Sequence, residues 1–203
     1  MNPIFRSIDM QMTADKEKRT ITGRAATFGV ISNPVKDSPN GVLYKEVIAK
    51  GAFKRSLETN KDVMSFKEHD PKMILGRMSA GTLNVEERDD GLYVEINVPD
   101  TSYGNDLLVS AARGDINGFS FGFKPTKSRT YTRAGEKIVE RTEVALIEVS
   151  PTARPAYTGT ELNVRSEGEI WEEETSEPQP DQNTINAMKQ RHRFNDFMMK
   201  FFS

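Results

Sequence analysis

The clearest pattern in the chain is the alternation of apolar and polar positions over residues 91–98, Gly-Leu-Tyr-Val-Glu-Ile-Asn-Val, which predicts a half-buried strand. Arg88-Asp89-Asp90-Gly91 ahead of it has the composition of a hairpin turn. A second alternation, Gly118-Phe119-Ser120-Phe121-Gly122-Phe123, sends three Phe rings to one face of a strand and Ser120 to the other. Partial alternation marks strands at 4–12 and 19–28 around the charged turn Asp15-Lys16-Glu17-Lys18. Shorter strands are predicted at 62–68, 73–78 and 81–87. Residues 124–133 and 137–149 form the arms of a long hairpin about Arg133-Ala134-Gly135-Glu136, closed by Pro151, with a last short strand near 161–165.

Two segments change period. Ala52, Phe53 and Leu57 share a helical face within Gly51–Leu57, with Asn60 near the C-cap. Leu107, Leu108, Ala111 and Ala112 form a second stripe, with Asp100, Thr101 or Ser102 as N-cap and Gly114 as C′ residue. Residues 32–45 hold three turn dipeptides, Asn33-Pro34, Ser38-Pro39 and Asn40-Gly41, and read as a loop or flap. Many short strands with two helices predict an α+β, β-dominated fold, a closed or partly open β-barrel with a few peripheral helices, and not a βαβ repeat.

Toward the C-terminus the composition shifts. The folded domain is expected over residues 1–166. Residues 167–183, with Glu169, Glu172, Glu173, Glu174, Glu177, Pro178 and Pro180, read as an acidic disordered linker. In 184–203, Ile185, Met188, Phe194, Phe197, Met198 and Phe201 fall at helical spacing, which predicts a short amphipathic helix that needs a partner surface.

Composition then narrows the chemistry. The net charge of −2 gives no global basic field, so no nucleic-acid partner is expected. There are no cysteines, which removes disulfides, a thiol nucleophile and thiolate metal sites. With only two histidines, a metal site would need mostly carboxylates, and neither metal nor cofactor is expected. No apolar run approaches the roughly 20 residues of a membrane span, and the first residues lack a signal-peptide core, so a soluble intracellular chain with no membrane partner is expected.

His69 is the one histidine in the expected domain, so acid–base chemistry near neutral pH should run through it. Pro71 biases Asp70 away from helix and sets His69 at a strand end. Ser120, between Gly118 and Gly122, suits a nucleophile on a rigid element, although a plain polar strand residue has the same pattern. Glu148 stands in the apolar run Leu146-Ile147-Glu148-Val149, where a carboxylate needs a partner. His69 would satisfy it; Arg154 and Arg77 are the alternatives.

Taken together, Gly51-Ala52-Phe53 with Leu57, His69-Asp70 with Gly76-Arg77, Gly118 to Phe123, and Leu146 to Ser150 with Pro155-Ala156-Tyr157 resemble the tailed-phage prohead proteases across roughly residues 4–165. These are capsid-maturation serine proteases similar in fold to herpesvirus assemblin. The resemblance implies Ser120 as nucleophile and His69 as base. Assemblins use a second histidine as third member; here His192 lies beyond the linker, which turns the expectation to Glu148.

The resemblance further implies the major capsid protein's scaffolding region and any separate scaffold protein as substrates, then the protease itself, inside the procapsid in the host cytoplasm. Homodimerisation is an expectation from the likeness to assemblin alone. For the oxyanion donors, residues 76–79 with Gly76 and Arg77 are the expected loop, together with the open backbone at Gly118 and Gly122. A non-catalytic assembly or scaffold-like protein is the rival reading. An esterase is disfavoured because the sequence lacks the G-x-S-x-G elbow.

Overall fold

The computed structural model describes residues 4–8, 12–36, 43–60, 62–153 and 170–173. In chain order the elements are β1 (Ile4–Ile8), β2 (Met12–Asp15), β3 (Thr20–Thr27), β4 (Val35–Lys36), β5 (Leu43–Ile48), α1 (Lys54–Thr59), β6 (Met64–Lys67), β7 (Asp70–Arg77), a 3-10 turn at Met78–Ala80, β8 (Leu83–Glu87), β9 (Gly91–Asn97), α2 (Ser102–Arg113), β10 (Gly118–Arg133), β11 (Glu136–Thr152) and β12 (Ile170–Glu173).

Among the described residues the strands form two sheets. The smaller runs β2-β3-β9-β8, and the larger runs β1-β10-β11-β5-β4, with β6 bridging β11 to β7 and β12 beside β10. The larger sheet is assembled around the β10–β11 hairpin, whose arms stay paired from Gly118↔Thr152 to Arg133↔Glu136. The closed form of the expected barrel is corrected here: the chain is β-dominated, but its described strands do not close into a cylinder. The physical reason is the pairing itself. Each sheet keeps edge strands, and the two sheets bury one shared core instead of curling into a single cylinder.

That core realises the alternations read from the sequence. Leu92, Val94 and Ile96 of β9 are buried while Glu95 and Asn97 are exposed. From the other sheet Phe119, Phe121 and Phe123 are buried. Phe121 meets Phe53 edge-on, with ring centroids 5.6 Å apart, and stacks on Phe123 at 5.5 Å. Phe53 comes from the turn that opens α1, and with Leu57 against the core and the Ser56 hydroxyl accepting the Leu146 N–H at 2.9 Å it fastens the small helix.

Helix α2 starts where a hydroxyl can cap it, the Thr101 oxygen accepting the Gly104 N–H at 3.2 Å. It stops at Gly114, whose φ of 82° suits a left-handed C-cap. Leu107 and Leu108 face the core, whereas Ala112 is exposed. No helix among the described residues is long and apolar enough to cross a membrane.

Several expectations shift. The strand expected over 4–12 is two strands in different sheets, β1 and β2. The segment expected to start at 73 starts at Asp70, running through Pro71, because β7 is an edge strand and one missing donor is tolerated there. The 32–45 flap contains β4 and the start of β5, paired as Val35↔Tyr44. Pro151 does not end β11 but lies in it opposite Phe119. Within the expected acidic linker, Ile170–Glu173 pairs in parallel with Lys127 to Thr130, where β10 extends past β1 and offers unpaired backbone groups. The strand near 161–165 and the 184–203 helix lie outside the described residues, as does the remainder of 167–183.

A buried charge cluster ties the larger sheet together. Arg6 and Arg141 each donate from Nε to Glu46, Arg141 at 2.7 Å, while Arg141 also donates to Ser128 Oγ at 2.9 Å and to the Tyr44 hydroxyl at 3.3 Å. Burial pushes the Glu46 carboxyl up, but the two guanidiniums outweigh it and hold it below the usual range.

Candidate active site

The register of β10 against β11 collects the polar residues of this region on one face. With the Phe rings in the core, Gly118, Ser120 and Gly122 point the other way, and directly opposite them stand Thr152, Ser150 and Glu148. Directly opposed residues in an antiparallel pair share a face. Ser120 and Glu148 are therefore diagonal neighbours, a spacing of roughly 7–8 Å between such positions. Both are buried, Ser120 at 2% exposure and Glu148 at 5%.

His69 reaches this face from the tip of the β6–β7 hairpin. β6 lies parallel to β11, with Met64 opposite Glu148, and turns back into β7 through Glu68 and His69. Both have positive φ, 51° and 63°. Positive φ at both central residues is the signature of a type I′ hairpin turn, normally given to Asn-Gly. For Glu and His it costs about 1–2 kcal/mol each, so surrounding contacts must hold the tip. At that tip His69 Nδ1 is hydrogen-bonded to Glu148 Oε1. An ionised carboxylate only accepts, so in this bond Nδ1–H is the donor.

The structure thus brings His69 and Glu148 into contact and sets Ser120 on the same sheet face, one strand over and two positions along from the residue opposite Glu148. Gly122 stands opposite Glu148, and Gly118 opposite Thr152. Gly76 and Arg77 are on β7, opposite Ser65 and Met64 of β6. A Cβ at Gly76 would sit 2.7 Å from the Thr82 carbonyl oxygen, so close backbone packing accounts for that glycine. Arg77 does not partner Glu148. It makes a two-pronged pair with Asp62, and hydrogen bonds from Arg77 and then Ser79 hold the Asp62 carboxyl down to about 2. Arg154 lies outside the described residues.

Glu68, Ser150 and Thr152, for which no role was expected, fasten the hairpin to β11. The Ser150 hydroxyl accepts the Phe66 N–H at 3.1 Å. Glu68 donates its own N–H to the Pro151 carbonyl at 3.2 Å and accepts from the Thr152 hydroxyl at 3.0 Å and the Ala153 N–H at 2.7 Å. No local signal marks them, because each bond joins residues 83 to 85 apart in sequence.

Comparison with known proteins bears on the chemistry. The model of the caudovirus prohead serine protease family matches residues 6–174. No curated protein matches the chain. Among solved structures it is similar to the bacteriophage T4 capsid assembly protease, gp21, with a TM-score of 0.37 and 11% identity over 72% of this chain and 97% of that one. The weight falls on the family match, which spans every site residue named above.

Proposed function

Because the chain belongs to the caudovirus prohead serine proteases, we propose that Ser120 is its nucleophile, His69 the general base and Glu148 the orienting acid. The protein is a serine protease; the residues are the proposal. The single observation that carries it is the His69–Glu148 hydrogen bond on the sheet face that bears Ser120.

In this reading Ser120 Oγ bonds to the scissile carbonyl carbon as His69 Nε2 takes its proton. The tetrahedral intermediate collapses, the C–N bond breaks, and His69 returns the proton to the leaving amine. Water then attacks the acyl-enzyme with the same base and releases Ser120. Glu148 keeps Nδ1 protonated and stabilises the imidazolium formed in each half-reaction. Backbone N–H groups supply the oxyanion site, typically about 2.7–4 kcal/mol per donor. The segment from Gly76 to Ser79 is the proposed oxyanion region, shaped by Arg77 through Asp62. Its Arg77 N–H is given to Thr82 Oγ1 at 2.9 Å and its Met78 N–H to the Val63 carbonyl at 3.0 Å, and Gly122 lies in β10 between β1 and β11. A donor from these positions therefore has to leave its present partner when substrate binds.

The proposed substrates are the scaffolding region of the major capsid protein, then the protease itself, inside the procapsid. Confinement there raises effective concentration, so weak intrinsic affinity suffices. The test is co-expression with the major capsid protein, followed by mass spectrometry of both chains. Ser120→Ala is expected to abolish a defined capsid-protein truncation and the protease's own shortening. Truncation at the wild-type rate in that variant would sink the assignment and favour a non-catalytic assembly role.

A further inference from the structure

We propose that Glu68 is a positioning residue, holding His69 in its left-handed conformation against Glu148. The inference rests on the triad reading above and adds a residue to it. The hairpin tip takes two consecutive non-glycine residues at positive φ. Residues suited to such a turn, Asn and Gly, are absent; the sequence has Glu-His. What Glu offers in place of local ease is reach. Its two carboxylate oxygens engage two different groups, the Thr152 hydroxyl and the Ala153 N–H, and its backbone N–H engages Pro151. The end of β11 and the residue before His69 are thereby locked together.

The arrangement separates two duties. During turnover the His69 ring gains and loses a proton, so its bond to Glu148 changes strength in each cycle. The Glu68 clamp acts one residue away, on the backbone, and is untouched by that proton. It keeps the ring's attachment point fixed while the ring works. Asn at position 68 fits the turn better than Glu but is one methylene too short to make the clamp. Gln keeps the length and an amide oxygen for the Ala153 N–H.

The test uses the full chain and a fluorophosphonate probe. Ser120 Oγ bonds to phosphorus, fluoride leaves, and the hydroxyl proton passes to His69. Labelling is followed by intact-mass spectrometry over a range of probe concentrations, so the limiting rate and the half-saturating concentration are read separately. Glu68→Asn is expected to slow the limiting rate by roughly 10- to 100-fold, the scale of a slightly misplaced catalytic group. Its half-saturating concentration should stay at the wild-type value and its melting temperature should fall only slightly, because Asn eases the cost of the turn as two hydrogen bonds are lost, while the Ala153 amide exchanges faster. Glu68→Gln should label within about threefold of wild type, the span of losing one of two acceptors while retaining the geometry. A wild-type limiting rate in Glu68→Asn, or losses in rate and melting temperature that run in parallel across both variants, overturns the proposal. Ser120→Ala is run alongside. If it labels like wild type, the triad reading falls and this inference with it; if it is silent while Glu68→Asn is fast, only this inference falls.

Discussion

Glu148 lies directly opposite Gly122, so the carboxylate that holds His69 faces a position with no side chain. On that face the nearest side chain on the neighbouring strand along one diagonal is Ser120. An ordinary strand would fill the Gly122 position with a cross-strand partner worth a few tenths of a kcal/mol. Here the ladder gives up that contact, and the imidazole of a distant hairpin is bonded to the carboxylate instead.

Replacing the carboxylate while keeping its shape isolates this relationship. Glu148→Gln should leave the melting temperature close to wild type but favour the wrong imidazole tautomer. Turnover is expected to fall by about 10³–10⁴-fold, the scale seen when the orienting acid of a Ser-His-Asp triad becomes an amide. Probe labelling at Ser120 measures it directly.

The aromatic layer beneath Ser120 should carry stability, not chemistry. Phe121 is buried against Phe53 and Phe123. Phe121→Ala is expected to cost about 3–5 kcal/mol through lost transfer energy and the cavity left behind. Urea denaturation followed by circular dichroism gives the value.

Gly76 tests packing against chemistry. Its substitution by Ala drives a Cβ to 2.7 Å from the Thr82 carbonyl oxygen. Gly76→Ala should therefore destabilise by about 1–3 kcal/mol, the usual cost of overpacking. Thermal unfolding checks this, and an unchanged melting temperature would mean that the β7–β8 connection yields freely.

Acid should act through Glu46. Its folded-state carboxyl is held below the ordinary 4.5 by Arg6 and Arg141 against the opposing push of burial. A depressed folded value means stability that is present above about pH 4.5 and is lost as pH falls through the folded value. Glu46→Gln removes the carboxylate shared by the buried Arg141 and the partly exposed Arg6. At pH 7 it should cost about 3–5 kcal/mol, and the loss relative to wild type should shrink as pH drops. Denaturation midpoints between pH 7 and pH 3 provide the test.

Local rules reached a definite distance into this fold. Period-two alternation in 91–97 and 118–123 sorted Leu92, Val94, Ile96 and the three Phe residues to the core and put Ser120 on the opposite face. The Gly114 stop and a cap at Asp100, Thr101 or Ser102 delimited α2 from composition, and the structure gives the cap to Thr101. These features depend on steric and hydrogen-bonding preferences within a few residues, so the sequence carries them in readable form. The need of Glu148 for a partner was also legible, since burial of a carboxylate in an apolar run follows from its neighbours.

Which partner it takes was not. Only the tertiary structure chose His69 over Arg77, by docking β6 along β11 and occupying Arg77 with Asp62. Strand order, two sheets in place of a barrel, the parallel β12 and the Glu68 clamp belong to the same class. Each is a pairing between segments far apart in the chain, selected by the total burial and backbone hydrogen bonding of the whole assembly. The left-handed turn at Glu68-His69 shows the reason most plainly. Local preference argues against it, and contacts from residues more than 80 positions away make it the lower-energy state.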